Sequence, residues 1–342
     1  MNASQTMRAA VTHDKTWASL NVQSSLALPR PQAGEVLLKV RAVSLNYRDL
    51  LMINARVGLA EGAPFVPGSD ASGEVVAVGE GVTRWRVGDR LTTTYMRGWH
   101  RGAPTVAQRA GNTLGGPLPG VLQEYVVVTQ DDAVRTPEGW SDEEASTLPI
   151  AALTAWTTLT DGGLRPGCTV VTQGSGGVAL FALQFAKAAG ARVIAISSTD
   201  EKRAHLQRMG ADLTIDRRAN PQWQTAVREA TGGIGADIVV ETTGATLQSS
   251  IASCALGGFV GVVGFVGGAQ ADVSMRSLIA SMVRVHGILV GSRDGFESMV
   301  AMLKNHAALR PVIDSVFTLD QVVPAFKRQQ SGEQFGKIVV RL

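Results

Sequence analysis

The chain has 342 residues, of which 45% are hydrophobic and 18% charged, and its formal net charge is +3. This length allows two domains, and the charge is too mild and too evenly spread to predict nucleic-acid binding. No apolar run reaches the roughly 20 residues of a membrane helix, and Met1 to Thr6 lacks the charged and apolar regions of a signal peptide. The low cysteine content, Cys168 and Cys254 in apolar contexts, suits a reducing compartment, so we expect a cytoplasmic protein.

The N-terminal third has the pattern of a small β domain. Apolar and β-branched runs predict strands at 7–13, 19–26 and 35–43, followed by a short helix at 46–54. Short strands joined by glycine turns continue to residue 91, as in a compact barrel.

The next segment, 93–120, is rich in Gly and Pro and has no pattern, and so long a loop is usually functional or mobile. A strand is predicted at 121–128. Ser141, followed by three acidic residues, predicts a helix that continues to Leu159.

A β–α–β unit follows. A short apolar strand runs into a glycine turn, and an apolar helix and a second strand ending at Ile196 come next. The turn fits G-x-G-x-x-A: Gly174 allows the sharp bend, Gly176 lets a pyrophosphate approach, and Ala179 lets the helix pack closely. The helix N-terminus would present free N–H groups to the phosphates. We therefore predict a dinucleotide site at Gly174, Ser175, Gly176, Gly177 and Val178.

The end of the second strand bears on the choice of cofactor. NAD sites usually carry Asp or Glu there to bind the ribose 2′-hydroxyl, whereas this chain has Ser197 and Ser198. Lys202 and Arg203 follow, and Arg217 closes the next predicted strand, so hydroxyls and cations would suit a 2′-phosphate. The alternative is that Lys202 and Arg203 are solvated helix residues. We predict NADPH, with NADH as the less favoured cofactor.

Strands and helices continue to alternate to residue 290, which predicts an open, doubly wound parallel sheet. Ligands bind beyond the carboxyl ends of such strands. Five loops rich in Gly, Ser and Thr fall at those ends, and Thr242 and Ser292 in two of them are candidate cofactor ligands. The last strand, predicted at 285–290, would be an apolar edge that needs covering.

Nearly the whole chain resembles the medium-chain dehydrogenase/reductase superfamily. The motifs that carry the resemblance are Asn46-x-x-Asp49, Gly68-x-Asp70, Gly73-x-Val75, Val87 to Arg90, Leu153-Thr154-Ala155, the glycine turn and Gly336-Lys337. The resemblance implies an α/β fold: a GroES-like β-barrel catalytic domain, 1–145 with 291–342, interrupted by a Rossmann NADP-binding domain, 146–290. It also implies an active-site cleft between the two domains and a homodimer paired through the apolar edge strand.

The resemblance places the zinc-ligand positions of the superfamily at Asn46, Ser69 and Ile150, where Cys, His and Cys would stand. Residues 85–130 contain no cysteine, so a structural four-cysteine site is missing as well. Independently, Zn²⁺ needs three or four N, S or O donors in a tetrahedral array, and the Cys and His residues show no ligand spacing. We therefore expect no zinc and a similarity to the zinc-independent, quinone oxidoreductase-like branch, which includes enone and enoyl reductases.

Without a Lewis acid, the easier chemistry is hydride transfer from NADPH to a quinone or an activated alkene (enone). The resemblance implies that Thr154 and the backbone of Gly264, Phe265 and Val266 contact the nicotinamide. It also implies that Lys337 lies on the polar side of the cofactor and Asn46 between nicotinamide and substrate.

Other side chains keep two interpretations each. Tyr47 either donates a proton to the developing oxyanion or is a packed aromatic. Asp49 and Asp70 either serve the reaction or pair with Arg48 or Arg56. His100, in the long loop, is a second candidate proton donor or an exposed residue, and Tyr95 and Trp99 line the substrate or pack the loop.

Two further functions stay open. One is an alcohol or aldehyde dehydrogenase that lost zinc and kept carbonyl chemistry. The other is a sensing protein that binds NADPH without turnover.

Overall fold

The computed structural model describes residues 6–55, 60 and 62–342. The chain divides into two compact units, Met1–Ile150 with Ser292–Leu342, and Ala151–Gly291. The first unit is built mainly on antiparallel strands and the second on a parallel sheet with helices, which confirms the predicted fold class. Within the described ranges, no helix is both long and apolar enough to cross a bilayer.

Strands and helices are numbered here along the whole chain. The strands are β1 (Thr6–Val11), β2 (Asn21–Ala27), β3 (Glu35–Ser44), β4 (Asp70–Val78), β5 (Arg90–Thr93), β6 (Tyr125–Thr129), β7 (Ala133–Arg135), β8 (Thr169–Gln173), β9 (Arg192–Ser197), β10 (Leu213–Asp216), β11 (Ala236–Glu241), β12 (Cys254–Val262), β13 (Arg284–Gly287), β14 (Ile313–Thr318) and β15 (Lys337–Arg341). The α-helices are α1 (Tyr47–Ala55), α2 (Val106–Gly111), α3 (Asp142–Ala145), α4 (Leu153–Asp161), α5 (Gly177–Ala188), α6 (Asp200–Arg208), α7 (Trp223–Ala230), α8 (Leu247–Ser253), α9 (Met275–Ser281), α10 (Arg293–Lys304) and α11 (Val322–Ser331).

Strand β3 is the centre of the first unit. It pairs with β4 and β6 on its two edges and, near its C-terminal end, with the last strand β15. Val36, Leu38 and Val40 are fully buried in the core of this unit, as the alternation of a half-covered strand requires. Because Ser44 at the end of β3 pairs with both Asp70 and Val339, three distant parts of the chain meet there.

Two expectations for this unit were wrong. Segment 93–120 is not free of regular structure, since α2 lies inside it and is closed by a capping box between Thr105 and Gln108. None of the α2 residues is buried, so the helix has no apolar periodicity to reveal it. The helix expected from Ser141 to Leu159 is also broken, because a π-helical turn at Leu148–Ala152 separates α3 from α4. Pro149 in that turn lacks the N–H that a continuous helix would need.

The second unit is a six-stranded parallel sheet in the order β10-β9-β8-β11-β12-β13. This is the doubly wound order of dinucleotide-binding folds, with its reversal between β8 and β11. The central strands are buried on both faces, which explains their continuous apolar sequence. The carboxyl ends of β8 and β11 therefore flank the switch point at which such sheets bind ligands.

Candidate functional site

The glycine turn lies at the carboxyl end of β8. Gly174 has φ +81°, a left-handed conformation that favours glycine, and its N–H donates to the Ile196 carbonyl at 2.7 Å. Helix α5 begins immediately afterwards, with Gly176 at its N-cap and Gly177 and Val178 in its first turn. In the part of the chain that the structure describes, no side chain caps this helix, so the N–H groups of its first turn are left for another acceptor.

Gly176 is the position that tests whether a dinucleotide fits. Its φ is −80°, so the backbone does not require glycine. Apart from its two neighbours, a Cβ at Gly176 would have no heavy atom of the described residues within 4 Å, so packing does not require glycine either. The space in front of an uncapped helix N-terminus is where a pyrophosphate binds, with Ser175 buried beside it. The turn therefore fits the predicted cofactor.

Ser197 and Arg217 are adjacent at the end of the neighbouring strands. Ser197 is the last residue of β9, and the Arg217 N–H donates to its carbonyl at 3.0 Å. The Arg217 side chain is exposed and makes no hydrogen bond or ion pair within the described part of the chain. Arg203, by contrast, pairs with Asp216 at 2.9 Å, so its charge is already compensated. Lys202 lies in the first turn of α6, which Thr199 caps by accepting from its N–H.

A buried carboxylate that the sequence analysis missed supports the switch point. Glu241, at the end of β11, is fully buried and accepts from the side chains of Gln173, Thr246 and Ser250. It also accepts from the backbone N–H groups of Thr243 and Gly244, at 2.7 and 2.9 Å. It thus fixes the loop after β11 to the end of β8. The available signal was an acid ending an apolar strand, directly before Thr-Thr-Gly.

The other predicted cofactor ligands lie in several different environments. Thr242 donates from its hydroxyl to the Gln173 carbonyl at 3.1 Å, and Thr154 is buried in α4. Phe265 and Val266 follow β12 with half-exposed side chains, and Gly264 precedes them in the same loop. Ser292 caps α10, since its hydroxyl accepts from the Gly295 N–H at 3.2 Å. Their roles toward a cofactor stay predictions.

The first unit holds a second group of predicted residues around Asn46. The Asn46 amide nitrogen donates to Asp70 Oδ2 at 2.9 Å and to the Ser44 carbonyl at 3.3 Å. Its amide oxygen accepts from Lys337 Nζ at 2.6 Å, and Lys337 also donates to the Leu45 carbonyl at 2.5 Å. All of these groups are buried. Asn46 and Lys337, predicted for different roles, are therefore direct neighbours.

Ser69 forms a similar link one residue before Asp70. Its hydroxyl donates to Asp49 Oδ1 at 2.7 Å and accepts from Arg48 Nη1 at 2.5 Å. Arg48 also donates to the carbonyls of Leu114 and Gly116, at 2.7 and 2.9 Å. Asp49 and Arg48 thus meet through Ser69. Arg56, the other partner considered for the acids, lies outside the described residues.

Burial dominates the electrostatics of this group. Desolvation raises the pKa of Asp70 to about 7, although the nearby Lys337 ammonium and the Asn46 amide oppose the shift. Burial also raises the pKa of Asp49 and lowers that of Lys337. Asp70 Oδ2 accepts from the Ile150 N–H at 3.2 Å, whereas its Oδ1 has no hydrogen-bond partner among the described residues.

These residues do not fit a zinc ion. The three ligand positions hold an amide, a hydroxyl and a hydrocarbon side chain, and the amide and hydroxyl oxygens each already accept a bond from a cation. Elsewhere in the described chain, no group of three or more His, Cys, Asp or Glu side chains is placed to hold a metal. The donor chemistry therefore differs from that of a catalytic zinc site.

The remaining candidates lie around this group or in the long loop. Tyr47 opens α1 and is 41% exposed, so its role as proton donor stays a prediction. Tyr95 is buried with Arg48 over its ring, 4.9 Å from the centroid, and Trp99 is buried and donates to the Gly102 carbonyl. Both aromatics therefore pack the loop. His100 Nε2 lies 3.6 Å from Asp132 Oδ1.

Comparisons with known proteins bear on this geometry. Residues 32–138 match the family model described as alcohol dehydrogenase GroES-like domain, and residues 177–305 match that of zinc-binding dehydrogenase. A zinc-type alcohol dehydrogenase-like protein of Schizosaccharomyces pombe is 38% identical over 90% of this chain and 91% of its own length. The chain belongs to the medium-chain dehydrogenase/reductase superfamily.

Solved structures agree with this assignment. One from Sinorhizobium meliloti 1021, whose name assigns it to the alcohol dehydrogenases, is 40% identical with a TM-score of 0.92, covering 99% of this chain and 100% of its own. Another, described as an NAD-dependent alcohol dehydrogenase, is 29% identical with a TM-score of 0.87, covering 98% of this chain and 100% of its own. This medium-chain dehydrogenase/reductase is accordingly an NAD(P)-dependent oxidoreductase.

Proposed function

We propose that this dehydrogenase/reductase transfers a hydride from NADPH to a quinone or an activated alkene without zinc. The observation that carries the proposal is the state of the three ligand positions. Ile150 offers no donor atom, and the oxygens of Asn46 and Ser69 are bonded to Lys337 and Arg48. Without a Lewis acid, the acceptor must itself tolerate negative charge, which quinones and enones do.

The preference for NADPH rests on the end of β9. An acid that would bind a ribose 2′-hydroxyl is replaced by Ser197, and the exposed Arg217 follows the adjacent strand. A planar guanidinium and small hydroxyls suit a 2′-phosphate better than a neutral ribose. Ser198 and Lys202 complete the same edge of the sheet.

The chain's own residues would then position the cofactor and handle the proton. The N-terminus of α5, from Gly176, holds the pyrophosphate, while Thr154 and the Gly264–Val266 loop hold the nicotinamide, which supplies the hydride when the cofactor is bound. Tyr47, which is 41% exposed at the start of α1, would donate a hydrogen bond or a proton to the oxygen of the reduced product.

The direct test is NADPH consumption in the presence of EDTA, with an ortho-quinone, an aliphatic enone and an aldehyde measured in parallel. We expect turnover of the quinone or the enone at a rate unchanged by EDTA. Loss of that turnover with EDTA, and its recovery with added zinc, would overturn the metal-free assignment.

A second candidate is a zinc-free reductase of carbonyl compounds. The name of one solved relative, an NAD-dependent alcohol dehydrogenase, favours this candidate. EDTA-insensitive reduction of the aldehyde, with quinone and enone unreduced, would select this alternative.

We also propose a homodimer formed through the edge of the parallel sheet. Strand β13 pairs only with β12 among the described strands, and all four of its residues are exposed. Only Val285 of β13 is apolar, since Ile288 and Val290 of the predicted edge are buried, but exposed apolar side chains lie nearby in sequence at Ile279 (75%) and Met282 (62%). A second copy paired on β13 would cover this edge. Light scattering at the mass of one chain would refute the dimer.

A further inference from the structure

The group around Asn46 contains two links of the same kind. In each, a cation donates to a polar side chain that in turn donates to a carboxylate. Arg48 donates to Ser69, which donates to Asp49 at 2.7 Å. Lys337 donates to Asn46, which donates to Asp70 at 2.9 Å. The polar side chain in the middle of each link stands at a zinc-ligand position of the superfamily.

The chemistry of the partners sets the orientation of the Asn46 amide. An ammonium only donates, so Lys337 must face the amide oxygen. Asp70 Oδ2 already accepts from the Ile150 N–H, so it is an acceptor in either protonation state and must face the amide nitrogen. With the other N–H directed to the Ser44 carbonyl, both amide hydrogens are engaged. Asn46 is therefore held from both ends, and neither hydrogen is left for a substrate.

The same links join four separate segments. Asp70 lies at the start of β4, Lys337 at the start of β15, and Asn46 between β3 and α1. Asp70 also accepts from the Ile150 N–H in the π-helical turn at 3.2 Å. A metal ion bound at the three ligand positions would join the segments of Asn46, Asp70 and Ile150, and Lys337 adds β15 to them. A buried ammonium without such partners would be strongly unfavourable.

We propose that Lys337 is a positioning residue whose ammonium takes the place of a metal ion at this site and, with Asp70, locks the Asn46 amide in one orientation. The proposal rests on the metal-free function above. It differs from the cofactor contact that family resemblance implies for Lys337, because here the ammonium acts through Asn46 and touches neither cofactor nor substrate.

Four variants test it: Lys337→Met, Asp70→Asn, the double variant, and Lys304→Met as a matched control on the exposed face of α10. For Lys337→Met we expect kcat at saturating NADPH to fall about tenfold or more, and NADPH affinity to change less than about twofold. Its melting temperature should fall by about 5 °C, because Asp70 is left buried without its cation. The double variant should recover at least about half of that loss.

Two outcomes of the variant measurements would overturn the proposal. One is a tenfold loss of NADPH affinity in Lys337→Met with kcat unchanged, which would make Lys337 a cofactor ligand. The other is a double variant whose loss of melting temperature equals the sum of the two single losses. The melting measurements use no substrate, so they decide the proposal even if the wild-type protein reduces none of the acceptors. Retention of one zinc per chain by the wild-type protein, measured by elemental analysis after dialysis against zinc, would equally refute a built-in cation.

Discussion

The two units build their sites in opposite ways. In the second unit, Ala151–Gly291, which we call the parallel unit, the cofactor turn is one contiguous stretch, 174–178. It leaves space and free N–H groups in front of α5. In the first unit the group around Asn46 comes from residues distant in sequence, and most of its polar atoms form hydrogen bonds with one another. The glycine turn has N–H groups free to bind a ligand, whereas the group around Asn46 is a stabilising part of the fold. Substitutions should therefore affect binding in one unit and stability in the other.

The largest effect on stability should come from Asp70, and it should depend on pH. Its pKa is about 7 in the folded chain and about 3.9 when unfolded, so between these values the folded state binds more protons. The contribution of Asp70 is therefore fully present below about pH 4 and lost as pH rises through about 7, by up to about 4 kcal/mol. Urea unfolding of wild type and Asp70→Asn between about pH 5 and pH 8 measures it.

The variant cannot ionise at this position, so its stability should fall less steeply over that range than that of the wild type. Asp320→Asn, at an exposed carboxylate paired with Arg8, is the control and should keep the wild-type slope. Parallel curves for wild type and Asp70→Asn would show that Asp70 is ionised throughout, and would contradict the dominance of desolvation.

Arg48→Met should cost about 3 kcal/mol of unfolding free energy. The substitution removes the bonds to Ser69, Leu114 and Gly116 and leaves the buried Asp49 without its nearest cation. Urea unfolding measures the loss, and Arg30→Met, at an exposed site in the same unit, should change stability little. If Arg48→Met kept the stability of the wild type and bound NADPH more weakly, this site in the first unit would serve binding rather than stability.

Gly176→Val, in the second unit, should lower NADPH affinity rather than stability. A Cβ at Gly176 meets no heavy atom of the described residues beyond its two neighbours, and the backbone there is extended, so the melting temperature should change little. The same side chain would fill the place of the pyrophosphate, so NADPH affinity should fall at least about a hundredfold, or about 2.7 kcal/mol. Fluorescence titration measures the affinity.

Gly174→Val should be compared with Gly176→Val, because at Gly174 the backbone conformation itself favours glycine. At φ +81° a valine is strained whatever the surrounding space, so this variant should lose stability as well as cofactor. Equal NADPH affinity of Gly176→Val and wild type would move the cofactor away from this turn.

The same contrast explains what the sequence could predict. The glycine turn, its flanking strand and helix, and the alternation that follows are local patterns, and the structure has all of them. The contact between Lys337 and Asn46 joins residues 291 positions apart, and it depends on β15 returning beside β3. No spacing in the sequence predicts such a meeting, so Lys337 was assigned from family resemblance alone.

Two other features were missed for different reasons. Helix α2 has no buried residue, so only the Thr105–Gln108 capping box could have revealed it. Glu241 ends an apolar strand, and its burial follows from partners such as Gln173 and Ser250, which the fold brings from other elements. For Glu241 the missing information was tertiary, because the local sequence was compatible with an exposed acid, whereas the only signal for α2 was local.

The smallest predicted effect separates the two cofactors within the parallel unit. Arg217 follows β10 beside Ser197, and its exposed side chain has no partner in the described chain, so removing it should not disturb the fold. Arg217→Ala should weaken NADPH binding about tenfold, the usual scale of one charge-assisted contact to a phosphate, and change NADH binding less than about twofold. Arg208→Ala, an exposed arginine on α6, controls for general loss of positive charge. Equal weakening of both cofactors would place Arg217 near the pyrophosphate or the adenine rather than the 2′-phosphate. The preference for NADPH would then rest on Ser197, Ser198 and Lys202.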